Sequence, residues 1–423
     1  MVYHRRIVDE TLDEFLPHLT AVAIEGAKGV GKTATAAERS MARLALDDPA
    51  QLASLEADLG LITWLESPVL IDEWQLHPPV WDRVRREVDE RSESTYVLTG
   101  SAAPPTGARL HSGAGRIIRI LMRPLSMVER GAAKPAVAFS QLLSDDGVEI
   151  RGETDFALPD YVDEIMRSGF PGMRDLPARV CAAQLDAYVD RIVDRELPEA
   201  GLLVRRPAAL RRWLTAYAAA SATNANYTAI LNAATAGEPE KPARTTVDGY
   251  REFLTRLFIL DPLEAWTPRF TPLKRLTAAP KHHLVDPALA ARLVGVGRQG
   301  LLLGESGHAV VPRAGTWLGA LFESLVTQSV RVYAEANGAR VGHLRTKNTD
   351  HEIDLIVERP DGGIVAVEVK LAATVDDRDV RHLNWLQAEL GDQVLDRIVI
   401  TTGPFAYRRA DGVGVVPLAL LGP

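Results

Sequence analysis

The 423 residues are too many for one hydrophobic core and imply two or three domains, while 46% apolar and 25% charged residues are ordinary for a soluble globular protein. A net charge of −8, from 48 Lys/Arg against 56 Asp/Glu, argues against nonspecific coating of nucleic acid. The single cysteine, Cys181, excludes an intramolecular disulfide, and no Cys/His cluster has zinc-ligand spacing. No apolar signal core opens the chain and no segment reaches membrane-spanning length, so a cytoplasmic protein with no membrane partner is expected.

An amphipathic stretch at 11–16 leads to the apolar run 19–24, which reads as a strand. Next come Gly26, Ala27, Lys28, Gly29, Val30, Gly31, Lys32 and Thr33, the pattern G-x-x-x-x-G-K-[ST], with Ala34 continuing into a helix. In this order of strand, glycine loop and helix, backbone N–H groups and a helix N-terminus can face the phosphates of ATP or GTP. Lys32 would reach the β/γ-phosphates and Thr33 would ligate Mg2+. A second apolar strand, 68–71, runs into Asp72 and Glu73. Asp72 suits the Mg2+ shell and Glu73 a general base on the attacking water.

Residues 81–90 have helical periodicity, and 95–98 form a third strand ending in Thr99, Gly100 and Ser101. A polar side chain at that tip, Thr99 or Ser101, could touch the γ-phosphate or the lytic water if the strand lies between the other two. Arg116 precedes another β-branched run, 117–121, and could act as an arginine finger in its own or a neighbouring subunit. Arg109, Arg116 and Arg119 equally suit surface ion pairs.

The alternation of strands and helices predicts an α/β parallel-sheet nucleotide domain over 1–130, and a helical lid follows over 131–200. Helix-rich residues 201–300 suggest a winged-helix-like module. Eleven Lys/Arg against six Asp/Glu in 205–275 make this stretch locally basic. Its third helix, with Arg251 and Arg256 after Arg244, would be the one to enter a major groove of DNA, although the same shape serves in protein docking. His282 and His283 are adjacent, so on a strand they face opposite sides. A glycine-containing loop at 297–315 precedes the last domain.

Residues 301–423 read helix, strand, strand, strand, helix, strand. On the strand within 363–371, Glu368 and Lys370 lie two apart on one face, and Asp354 on the preceding strand can converge on them. This D…E-x-K arrangement resembles that of the restriction-endonuclease-like fold, and Glu323 on the preceding helix sits where that fold often places an extra acidic ligand. Asp354, Glu368 and Glu323, with the Val369 carbonyl, could hold Mg2+ or Mn2+, and Lys370 could orient the attacking water. No proline precedes Asp354, and His351 with Glu352 could compete for the metal. A strand ending in a solvated Glu/Lys pair is the plainer alternative, but this strand is otherwise apolar.

The phosphate loop, residues 69–73 with Gln75, 98–101, Gly115 with Arg116, and 124–126 with Glu129 together resemble the AAA-type ATPase domain of a widespread bacterial and archaeal family. Its members usually carry a C-terminal half known only as a domain of unknown function, with a nuclease-like signature. Residues 168–171 and 188–191 are similar to that family's lid, and Trp74 departs from it where a smaller aliphatic residue is usual. The resemblance implies an ATPase and no settled role beyond that; the two acidic constellations with the basic helical module between them point to a Mg2+-dependent ATPase that couples nucleotide state to DNA or RNA binding, and could extend to metal-dependent phosphodiester cleavage by the C-terminal domain. The alternatives are a nucleotide-gated interaction protein whose nuclease-like domain is a scaffold, and an assembly factor acting as a homo-oligomer.

Overall fold

The computed structural model describes residues 3–102, 113–238, 241–267, 279–303, 314–346 and 350–423, without the side chains of 314–316. The chain forms two compact units. The first comprises Met1–Pro124, Arg191–Arg205 and Arg244–Ile259, and the second the remainder. Four consecutive domains were expected. The apolar stripes along the chain do not specify which sheet each helix packs against, and the two units interleave instead.

Short apolar runs build the sheet of the first unit. Its strands β1 (Ala21–Glu25), β2 (Ala42–Ala45), β3 (Val69–Asp72), β4 (Tyr96–Gly100) and β5 (Ile118–Leu121) are parallel, in the order β2-β3-β4-β1-β5. β3 and β4 are buried along their whole length, which explains why they read as continuous apolar runs rather than as alternation. The helix Pro79–Asp89 turns Val80, Trp81 and Val84 into this core, and the Trp81 ring packs 4.6 Å from that of Trp74. All five strands end at the same edge, so the loops after β1, β3 and β4 converge there, the usual ligand edge of a parallel sheet. β4 lies between β1 and β3, which sets its tip between the glycine loop and the acidic pair.

The second unit holds β6 (Val137–Ala138), β7 (Gly152–Glu153), β8 (Arg340–Arg345), β9 (Glu352–Glu358), β10 (Ile364–Val369), β11 (Val394–Thr401), β12 (Phe405–Arg408), β13 (Gly414–Pro417) and β14 (Leu421–Gly422). Seven of them form one sheet in the order β7-β12-β13-β11-β10-β9-β8, and β14 pairs with β6. β8, β9 and β10 are antiparallel neighbours, whereas β10 and β11 are parallel, joined across the helix Asp377–Leu390. With the helix Ala314–Ala336 ahead of β8, the element order read from the sequence holds through β11, and β12, β13 and β14 beyond it were not read. The helix Asp377–Leu390 buries Val380, Leu383 and Leu386 against Ile356, Ala366 and Val399. Asp376 caps its start, accepting from the Arg378 and Asp379 N–H groups.

The three helices expected to form a winged-helix-like module do not pack as a trio. Pro207–Ala219 and Tyr227–Ala234 belong to the second unit, while Arg244–Arg256, which buries Val247, Tyr250 and Leu254, belongs to the first. Arg251 and Arg256 pair with Asp248 and Glu252 of their own helix. The end of the basic stretch 205–275, from residue 268 on, lies outside the described residues, as does much of the 297–315 loop. Within 131–200, the part to Asp190 belongs to the second unit and only the remainder to the first. Among the described residues, no helix is long and apolar enough to cross a membrane.

Candidate functional site

At the C-terminal end of β1 the chain turns through Gly26, Gly29 and Gly31, with φ of 150°, 86° and 104°. These angles are open to glycine and strained for other residues. At Gly26 a side chain is also excluded by space, since a Cβ would lie 2.2 Å from the Met122 carbonyl oxygen. Ala27 and Val30 are buried beneath the loop, and the helix Lys32–Ala37 follows it, so Thr33 and Ala34 sit in its first turn. The buried Lys32 ammonium donates to the Gly26 and Ala27 carbonyls at 2.8 and 2.9 Å. Burial lowers its pKa to about 8, against the pull of Glu73 and Asp72.

Asp72 links three elements. Its Oδ1 accepts from the Thr33 hydroxyl at 2.9 Å and the Thr99 hydroxyl at 2.5 Å, and its Oδ2 pairs with Arg43 at 2.6 Å. Glu73 adopts a left-handed backbone (φ 54°), an unusual conformation for a residue with a side chain. Its Oε2 accepts from the Ser101 hydroxyl at 2.8 Å and from the Gln75 amide. Thr99 therefore meets the carboxylate expected in the metal shell, while Ser101 meets the expected base. Gly100 between them must lack a side chain, because a Cβ there would come within 2.9 Å of both Gln75 Oε1 and Trp74 Nε1.

Glu73, Gln75, Ser101 and Lys28 border a cleft of 650 Å3 completed by Arg191, Arg195 and Glu196, a volume in the range of small-ligand sites. Glu196 Oε1 accepts from Lys28 at 3.1 Å and from Arg191 at 3.2 Å. The segment Ile192–Glu196 is a π-helical turn, a feature frequent at functional sites. Arg43, Arg195 and Glu196 were missed by sequence reading. Arg191 was legible only as part of a lid-like motif, and nothing local marks Arg43.

Arg116 requires a correction. It precedes β5 at the N-terminal edge of the sheet, since Ile118 pairs with Val22 near the start of β1. The phosphate loop begins after the other end of β1, roughly 13 Å away at about 3.3 Å per residue. Arg116 is paired with Asp89 at 2.5 Å and cannot serve the nucleotide of its own chain. Arg119 pairs with Glu25 at 3.5 Å, and Arg109 lies outside the described residues.

In the second unit, Glu323, Asp354 and Glu368 do come near one another, but lysines face them. The buried Lys281 ammonium lies 2.9 Å from Glu323, 2.7 Å from Asp354 and 3.5 Å from Glu352. Asp354 Oδ2 accepts from the Val369 N–H at 2.9 Å, and Glu368 Oε1 accepts from Lys370 at 2.9 Å. Burial opposes the charge on Lys281, yet Asp354, Glu323 and Glu352 hold its pKa above the ordinary lysine value. Burial, with the Asp354 charge, raises Glu323 to about 7 and Glu368 to about 8. Asp354 is also buried, but Lys281 brings its pKa below the usual carboxylate value.

In this structure the residues of the expected Mg2+ or Mn2+ ligand set form a carboxylate–lysine network. Among the described residues no group of three or more His, Cys, Asp or Glu side chains is arranged for a metal ion. His351, a suspected competitor, stacks on Trp385 with centroids 3.9 Å apart. Lys281 itself was missed, because it lies far along the chain from the strands it serves.

Residues 19–130 match the AAA domain family, 158–300 a domain of unknown function (DUF8612), and 318–421 another (DUF4143). No curated protein matches the chain. Among solved structures, a Walker-type ATPase of Pyrococcus abyssi is similar at 14% identity and a TM-score of 0.40, covering 69% of this chain and 96% of that one. The replication initiator DnaA, bound to AMPPCP and single-stranded DNA, is similar at 15% identity and a TM-score of 0.22, covering 58% and 85%. At these scores neither adds to the fold assignment. The family match and the glycine loop together identify residues 19–130 as a P-loop ATPase domain of AAA type.

Proposed function

We propose that the first unit hydrolyses ATP with Mg2+ and that its nucleotide state gates an interaction made elsewhere in the chain. The observation that carries this reading is the Asp72 carboxylate, held between Thr33 of the phosphate loop and Thr99 of β4, with Glu73 beside it on Ser101. Backbone N–H groups of residues 27–33 bind the phosphates, and Lys32 exchanges the Gly26 and Ala27 carbonyls for phosphate oxygens. The hard oxygens of Thr33 and Asp72 fit Mg2+, which takes its other ligands from phosphate and water. When bound, the metal neutralises charge developing on the transferred phosphoryl group. Glu73 accepts the proton of the attacking water, and Ser101 and Gln75 orient that carboxylate. Glu73→Gln should keep ATP binding and lose turnover, and unchanged turnover would refute the role of base.

Coupling to DNA or RNA rests on the locally basic stretch, and cleavage requires carboxylates free to take a metal. The lysines on Asp354, Glu323 and Glu368 favour the second reading, a nuclease-like domain that serves in interaction rather than cleavage. Digestion of labelled single- and double-stranded DNA and RNA with Mg2+ or Mn2+, with and without ATP, separates the two. Cleavage lost in Glu368→Ala would overturn the second reading. A homo-oligomer remains the one setting in which Arg116 could meet a nucleotide, that of another copy.

A further inference from the structure

Lys281 enters the cluster from a firmly anchored backbone. Lys281 and Leu263 exchange two N–H to carbonyl hydrogen bonds, both 2.9 Å long. Its buried neighbours are held as well: His282 Nε2 lies 2.6 Å from the Ala225 carbonyl and His283 Nδ1 lies 2.9 Å from the Ser324 hydroxyl. The side chain is 1% exposed, and its ammonium bridges Glu323 of the helix Ala314–Ala336 and Asp354 of β9. Glu352, two residues before Asp354 on the same face of β9, adds a third oxygen at 3.5 Å. On β10, Glu368 spends Oε1 on Lys370, while its buried Oε2 has no hydrogen-bond partner among the described residues.

Oxygens from a helix and a strand thus converge as they would around a hard divalent cation, with Glu368 on the neighbouring strand, and the cation they surround is an ammonium on a fixed stem. A metal ion could take the same oxygens only by displacing that ammonium from a buried site, and a buried charge without partners is costly. We propose that Lys281 is the built-in cation of this cluster, standing where a divalent metal would bind and closing the position to metal. This inference rests on the second reading above, in which the C-terminal domain does not cleave.

The test is a titration of nucleotide-free full-length chain with Mn2+ alone, counting bound ion by the loss of the free Mn2+ paramagnetic resonance signal. Wild type and Asp354→Asn should bind the same amount. Lys281→Met should bind about one more Mn2+ per chain, and Lys281→Met with Asp354→Asn should lose that gain. A wild-type Mn2+ that disappears in Asp354→Asn, or a folded Lys281→Met that gains none, would overturn the proposal. If Lys281→Met does not fold in metal-free buffer, Mn2+ supplied during refolding should restore the wild-type circular dichroism, and failure to do so also counts against it. The ion count reports on the Lys281 site, and the digestion assay reports separately on cleavage, so one can fail without the other.

Discussion

Raising the pH should weaken the second unit through Glu368, and Glu368→Gln should remove most of that dependence. The carboxyl is held at about 8 in the folded chain by burial and by the Asp354 charge, against about 4.3 in an unfolded chain. Between those values the native state keeps a proton that the unfolded state has released. The stability associated with this group is therefore complete below the unfolded value and is lost as pH rises through the folded one. At about 1.4 kcal/mol per pH unit, going from pH 6 to pH 8 costs on the order of 2–3 kcal/mol. Glu323, raised to about 7, titrates in the same cluster and shares part of that slope. The amide of Glu368→Gln retains an acceptor for Lys370 but does not ionise. Urea unfolding followed by tryptophan fluorescence at pH 6 and pH 8, in wild type and variant, reads the difference directly. A variant with the full wild-type slope would refute the assignment of that proton to Glu368.

Lys32→Ala should abolish tight ATP binding, measured by calorimetry, because no other side chain takes the place of its ammonium in the loop. In the wild type Lys32 has a lowered value of about 8, so above that pH its amine is largely neutral in the free site and ATP binding should take up a proton, visible as a buffer-dependent binding enthalpy at pH 8.5. Arg43→Ala should free Asp72 Oδ2 and tighten Mg2+ binding in the presence of ATP several-fold, with stability changed by no more than about 1 kcal/mol because Arg43 is half exposed. Arg116→Ala should leave turnover at low protein concentration unchanged, and a large loss in a demonstrated monomer would contradict its placement at the far edge of the sheet.

The phosphate loop was legible because its chemistry is local. Glycines, Lys32 and Thr33 are consecutive, and the turn they make depends on their own backbone angles. Asp72 and Glu73 were legible because a buried strand that ends abruptly in two carboxylates is conspicuous. Arg43 was not, since its meeting with Asp72 depends on β2 pairing with β3, and nothing in the sequence around Arg43 records that pairing. The third helix of the basic stretch was legible as a helix but not which core it joins, and its two expected companions fall in the other unit. Arg116 lies before β5, which runs parallel to β1, so of its two expected settings only a neighbouring subunit's nucleotide stays open. In the second unit, β9 and β10 were correctly read as adjacent strands, but the lysine that pairs with Asp354 of β9 comes from a segment 73 residues before it. Long-range charge pairing of this kind leaves no local pattern.

The central claim is hydrolysis at Glu73, and single-turnover ATP hydrolysis by wild type and Glu73→Gln tests it most directly, with nucleotide affinity measured in parallel. Equal ATP affinity with turnover reduced about 100- to 10,000-fold in the variant is the predicted result. Wild-type turnover in a variant that binds ATP normally would contradict the account.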